Sequence, residues 1–444
     1  MKRLTAILSF LMIAGVLAAC GGAAPSAPSQ PTVEAAATAV TGAATEVAPT
    51  VEAAATAVAA TAEPAASSGS GEKIVIVSSL PRTGSSKGQT DTIVNAIKQR
   101  LEQDNNQACN GQFSIEYRDL DDATAAKGAW DEAAEAANAN KSAADADVMV
   151  YIGTFNSGAA KISIPILNAV DLVMISPANT YPGLTKPGKG EADEPDKYYP
   201  NGKRNYTRVV PADDLQGAAA ANWAKSLGVT SVYILDDAEL YGKGIADVFN
   251  ARAKEAGINV LGQESIDPKA ADYRALAAKI LDLNPDLVYY GGITQNNAGQ
   301  LLKDIKGEGY TGKFMGPDGI YETAFIEAAG ADVAEGTYAT FGGVPATQFT
   351  GAGKEWYDAY KAKFGSEPEV YAVYGYEAAN VAVAAINSVC KKDRAAIRDA
   401  VFATKDFAGV LGTWSFDANG DTSLTTMSGA QVKGGKFEFV SVLK

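Results

Sequence analysis

Over most of its length this chain alternates short apolar, β-branched runs with segments of helical period. That alternation restricts the fold more than any other feature. "KIVIVSSL" (73–80) precedes a helical stretch at 89–103, and "FSIEYRD" (113–119) precedes the alanine-rich "AAKGAWDEAAEAANAN". "VMVYIG" (148–153) precedes "AAKISIPILNAV", and "LVMISP" (172–177) follows. The pattern resumes with "SVYILDD" (231–237), "INVLGQES" (258–265) and "DLVYYGG" (286–292), each followed by a helical segment, and then "KFMGPDG" (313–319). Repeated β-α order with continuous apolar runs predicts an α/β fold of doubly wound parallel sheets, covered by helices on both faces. In such sheets ligands bind beyond the carboxyl ends of the strands. "GTFNSG", "SPANT", "DDAELYG" and "GPDG" stand at those ends. Two sheets facing each other across a cleft would bring these four loops together.

The first residues read as an export signal. Lys2 and Arg3 open it, residues 4–16 are apolar, and "LAAC" ends at Cys20. Small residues directly before a cysteine resemble the lipobox of bacterial lipoproteins, which implies cleavage before Cys20 and lipid on its sulfur; the plainer alternative is an ordinary signal peptide containing a cysteine. Residues 21–71 are low-complexity Ala, Thr, Pro, Val, Glu and Ser, with "PTVEAAATAV" twice. Such a segment cannot bury enough apolar surface to fold as a domain and reads as a spacer. No later apolar run reaches the ~20 residues of a membrane span, so the expectation is a chain anchored to a membrane without crossing it.

The chain of 444 residues has a formal net charge of −14, which argues against nucleic acid as a partner. It has no histidine, the commonest general base and the commonest metal ligand. No glycine-rich phosphate loop or metal-ligand cluster stands out, and no cofactor or metal is expected. With Cys20 assigned to lipid, Cys109 and Cys390 remain. They lack metal-site spacing, and export exposes them to oxidation. They either pair or stand as two unconnected core cysteines; pairing is the expectation to be tested.

"VMISPANTYPGLT", "YTRVVPADDLQG", "LYGKG", "DLVYYGG", "KFMGPDG" and "AEGTYAT" occur here in the order, and at nearly the spacing, seen in the type I periplasmic binding proteins of ABC importers. Residues 72–444 resemble this family, and within it most resemble the branched-chain amino-acid (Leu/Ile/Val) binding proteins. The resemblance implies two α/β lobes joined by three crossovers, near 211–213, 341–343 and 420–425. The expected layout is a signal peptide (1–19), a lipid-anchored linker (20–71), lobe 1 (72–212 plus 343–424) and lobe 2 (213–342 plus 425–444).

The same resemblance implies the site. Serine and threonine hydroxyls bind the ligand carboxylate in the family, and the matching residues are Ser157 and Thr180. A helix should begin at Ser157, and a helix start favours an anion; the plain alternatives are a helix cap for Ser157 and a turn-stabilising hydroxyl for Thr180. The ammonium falls to the Ala178 carbonyl and to Asp318, where the family has glutamate in "GPEG" and this chain has "GPDG". The alternative for Asp318 is a simple turn residue. Tyr241 and Tyr376 match aromatic walls of the side-chain pocket, although either residue also suits ordinary core packing. Two positions depart: Lys87 and Ile293 stand where the family has tyrosines. Lys87 facing the cleft would suit a ligand with an acidic or polar tail; its ordinary fate is solvation. The segment 186–204 is longer than the family's usual connection and reads as a surface loop.

The leading functional expectation is a monomeric extracytoplasmic receptor that hands an amino acid or related small polar ligand to an ABC permease. The alternatives are a sensory ligand-binding subunit signalling through a membrane partner, and an enzyme on the same scaffold. The absence of histidine argues against the last.

Overall fold

The computed structural model describes residues 71–443. The proposed signal peptide, Cys20 and all but the end of the spacer lie outside the described residues. The apolar runs become two separate sheets. The first has the strand order Gln107–Ala108, Phe113–Asp121, Glu72–Leu80, Val148–Gly153, Val173–Ser176, Tyr206–Arg208, with every pairing parallel except that of Gln107–Ala108. The second runs Asn259–Ser265, Ser231–Asp236, Leu287–Gly291, Lys313–Gly316, Tyr338–Gly342, then Met427–Lys433 and Lys436–Leu443, the last two antiparallel.

Burial explains the sequence pattern strand by strand. All six residues of Val148–Gly153 are buried, so that strand is covered on both faces and reads as one apolar run. Lys436–Leu443, at the edge of its sheet, alternates exposed and half-buried residues instead. In both sheets the chain adds strands to one side of the first strand and then to the other. The point where the order reverses lies between Glu72–Leu80 and Val148–Gly153, and between Ser231–Asp236 and Leu287–Gly291. Such reversals open a crevice at the carboxyl edge.

The chain passes between the sheets three times. It leaves the first after Tyr206–Arg208 and enters the second. After Tyr338–Gly342 it returns to the first, where helix Ala372–Val389 packs on helix Lys87–Gln103 and Arg394–Phe402 lies against Val173–Ser176. It then re-enters the second sheet as Met427–Lys433. Helix Ala372–Val389 is buried nearly all round, as a helix wedged among others must be. Cys109 and Cys390 form a disulfide between its end and the turn after helix Lys87–Gln103, with Cα atoms 5.6 Å apart. Among the described residues no helix is long and apolar enough to cross a membrane.

The segment 186–204 is tied down. Tyr198 and Tyr199 are buried, Tyr199 donates to the Leu184 carbonyl (2.7 Å), and the Glu194 carboxylate accepts from Tyr198 and Tyr181. Its polar composition masked these anchors.

Several buried acids make stability depend on pH. Burial pushes Asp237 and Glu322 up to about 7. Glu322 faces Thr294, Gln295 and the acid Glu369, itself raised by burial. An acid whose folded pKa is raised binds more protons in the folded than in the unfolded chain, so folding stability falls as pH rises from the usual carboxylate range through about 7. Thermal melting should give a higher midpoint at pH 5 than at pH 8, and Glu322→Gln should reduce the difference. An unchanged difference in the variant would contradict this account.

Candidate ligand-binding cleft

The loops at the carboxyl edges of both sheets meet around a cavity of about 440 Å³, mouth included. From the first sheet come Trp130, Phe155, Asn156, Ser157, Gly158, Ala178 and Thr180; from the second, Glu239, Tyr241, Ile293, Asp318 and Gly319; Tyr371 completes the wall. Each of the four loops singled out in the sequence contributes.

One end of the cavity offers neutral donors. Ser157 is the first residue of helix Ser157–Asn168, and Asn156 holds the capping position. Ser157 is thus not the cap, and its Oγ accepts from the Tyr181 N–H at 3.3 Å. The Thr180 Oγ1 is buried beside the Asp213 carboxyl but not in hydrogen-bonding geometry, and the Asn156 Oδ1 is buried without a partner among the described residues. Trp130 lies so close over the helix start that a β-carbon on Gly158 would stand 2.6 Å from its ring.

Buried Arg208 holds the Thr180 turn. Its guanidinium donates to the carbonyls of Asn179 (3.2 Å) and Tyr181 (2.8 Å), the two neighbours of Thr180, and pairs with Asp421 at 2.6 Å. Ser176 Oγ shapes the turn from the other side by accepting from the N–H groups of Ala178 and Asn179.

The opposite end is acidic. Asp318 follows strand Lys313–Gly316 and is buried. Its carboxylate accepts from Gln216 Nε2 (2.6 Å), from the Tyr241 hydroxyl (2.9 Å) and from the Tyr371 hydroxyl. The Tyr241 hydroxyl in turn accepts from the Gly319 N–H (3.1 Å), so Tyr241 orients the acid as well as walling the cavity. Behind Thr180 stands Asp213, the first residue of helix Asp213–Ser226, with both carboxylate oxygens buried and, among the described residues, without hydrogen-bond partners. Burial raises both acids above the usual carboxylate range, and the two charges repel each other. Three donors on Asp318 favour its charged form, while burial opposes it. A cation in the cavity would favour the ionised form of both acids, which is the physical requirement for seating an ammonium group.

Ser157, Ala178, Thr180, Tyr241, Ile293 and Asp318 therefore share one cavity. Two sequence expectations do not. Lys87 begins helix Lys87–Gln103, is exposed, and pairs with Asp91 one turn on; it does not line the cavity. The inference of an acidic ligand tail drawn from Lys87 falls with it. Tyr376 points its hydroxyl at Gln103 (2.7 Å) and packs near Trp356. The aromatic facing the cavity from this region is Tyr371, whose ring meets Phe155 edge to face at 5.6 Å. Sequence reading missed Trp130, Phe155, Glu239, Gln216, Asp213 and Arg208. The charges in "TRVVPADD" were a visible signal for two of these, because Arg208 and Asp213 sit in an otherwise apolar crossover.

Two doubly wound sheets enclosing a cavity with a hydroxyl-rich end and an acidic end define a two-lobed binding protein of the type I periplasmic fold. The chain belongs to the periplasmic binding protein family, whose model matches residues 73–436. It is 31% identical over 290 residues to Leu/Ile/Val-binding protein homolog 2 of Brucella abortus (strain 2308), an alignment covering 65% of this chain and 72% of the relative. Among solved structures it is similar to the leucine-binding protein LivK of Thermotoga maritima MSB8 (TM-score 0.73, 24% identity, covering 84% of this chain and 99% of that one). The branched-chain amino acid transporter binding protein LivJ of Streptococcus pneumoniae, solved with isoleucine, has a TM-score of 0.71 at 24% identity, covering 84% and 99%. At that identity these two likenesses bear on the fold.

Proposed function

We propose that this protein captures an α-amino acid between its lobes and delivers it to an ABC permease. The carboxylate would rest on Ser157, Thr180 and the start of helix Ser157–Asn168. The ammonium would meet Asp318 and the Ala178 carbonyl. The observation that carries this reading is the buried Asp318, held by three donors and, among the described residues, by no cation, in the same cavity as the buried Thr180 hydroxyl, which has no hydrogen-bond partner among them. The names of the curated relatives, Leu/Ile/Val-binding and amino-acid-binding proteins, point the same way. Lipid on Cys20 would tether a monomer outside the membrane, with residues 21–71 as its spacer. Closure of the lobes on the ligand would create the form a permease recognises.

Calorimetric titration of ligand-stripped protein with a panel of amino acids tests the reading. Ser157→Ala removes one neutral donor to a charged group and should weaken the best ligand by about 1.5–3 kcal/mol. Failure of every amino acid to bind would overturn the proposal.

A further inference from the structure

Glu239 brings a carboxylate into the cleft from the loop after strand Ser231–Asp236. It lines the inner cavity, is half-buried, and makes neither a side-chain hydrogen bond nor an ion pair among the described residues. Its Oε2 lies 3.5 Å from where a β-carbon on Gly158 would stand, so it faces the opposite lobe across the cleft. Trp130, Gly158 and Glu239 also border a second, wider space of about 1460 Å³ that opens to solvent between Lys127, Lys161, Lys269 and Glu132. Glu239 thus stands at the throat joining the two. Lys127 is engaged by Asp131 at 3.0 Å, and Lys161 is exposed.

We infer that Glu239 selects the ligand's side chain: the amino acid held at Ser157, Thr180 and Asp318 carries a tail ending in an N–H donor, an amide or an ammonium, that reaches the throat and hydrogen-bonds this carboxylate. This inference rests on the amino-acid reading above. A carboxylate inside a cleft that closes loses water, and an aliphatic ligand would leave it desolvated without a partner. Trp130 and Phe155 supply flat apolar walls for the methylene stem of such a tail and, for an ammonium, a π face. Burial holds the Glu239 carboxyl above its usual range, with Lys127 and Lys161 pulling it back and Glu132 adding to the rise. A donor arriving at Glu239 would relieve that cost. The sign of the tail is therefore opposite to the one suggested by a lysine at position 87.

The test is calorimetric titration of the wild-type protein, Glu239→Gln and Glu239→Ala with L-leucine, L-glutamine, L-lysine and L-glutamate. In the wild type, lysine or glutamine should bind at least about tenfold more tightly than leucine, and glutamate most weakly, because charge-assisted hydrogen bonds are the strong ones. In both variants the advantage over leucine should fall by about tenfold. Leucine binding, weak or strong, reports that a variant is folded. Tighter wild-type binding of leucine than of lysine and glutamine would overturn the inference while leaving the amino-acid reading intact. Retention of the donor preference in both variants would overturn the role of Glu239. Absence of binding by all four ligands would overturn the inference, whereas the amino-acid reading falls only when the whole panel of amino acids fails to bind.

Discussion

Asp318→Asn is expected to lower affinity for the amino acid by about 2–5 kcal/mol, because it truncates one partner of a charge pair in a closed, partly desolvated cleft. The change keeps the size of the side chain and removes its charge. It also puts an amide nitrogen, itself a donor, among three donors: Gln216 Nε2 and the hydroxyls of Tyr241 and Tyr371. The Gln216 amide is further committed to Thr340, at 3.2 Å to its carbonyl and its hydroxyl alike. The loss should exceed that of Ser157→Ala, which removes a neutral group. Calorimetry with the best wild-type ligand, and circular dichroism to verify folding, decide the matter. Wild-type affinity in Asp318→Asn would mean that no ammonium sits there, and the amino-acid reading would be wrong.

Replacing both cysteines of the Cys109–Cys390 bridge by serine should cost about 3–5 kcal/mol of folding stability, since the bridge closes a very long loop in the unfolded chain. The residues joined are 281 apart in sequence. Ligand affinity should change little. The bridge stands at the amino end of strand Phe113–Asp121, next to Gln107–Ala108, whereas the cavity lies at the carboxyl edge. Two hydrogen bonds span the same junction: the Cys109 N–H donates to Asn387 Oδ1 at 2.6 Å, and Gln112 Nε2 to the Cys390 carbonyl at 3.3 Å. These should keep the native arrangement in the variant. Urea unfolding of oxidised wild type and the double serine variant measures the difference; a loss below about 1 kcal/mol would contradict the loop-closure account.

The parts of the fold legible in the sequence were those in which burial leaves a one-dimensional trace. Strands covered on both faces, such as Val148–Gly153, read as unbroken apolar runs, and their loops begin where the run stops. Ser157 and Asp318 were singled out by the family resemblance, and each lies in a loop that opens where such an apolar run stops. What was hidden depended on direction. Tyr371, Tyr374 and Tyr376 are all buried aromatics at or near the start of one helix, and only the helix's rotation about its axis decides which faces the cavity. Lys87 and Glu239 are both charges where a helix starts beyond a strand end, yet one turns to Asp91 and solvent while the other turns inward. Asp213 reads as an ordinary acid in a first helical turn, a favourable place for it. Its nearness to Asp318 arises only when the second sheet is folded against the crossover that carries it.

The three passages of the chain between its sheets bear on how such a receptor can be recombined. Helices 351–402 belong with the first sheet, but 213–342 must be laid down before them; the second sheet, in turn, is finished only by residues 427–443. A hybrid made with one junction would inherit part of a sheet from one parent and the helices meant to cover it from the other. Exchanging a whole lobe, and with it one wall of the cleft, requires three junctions placed in the crossovers, where few packed side chains are divided. The first and third crossovers, beside Arg208 and Asp421, are to be transplanted together, because a buried guanidinium parted from its carboxylate would be left as an unpaired charge inside the graft.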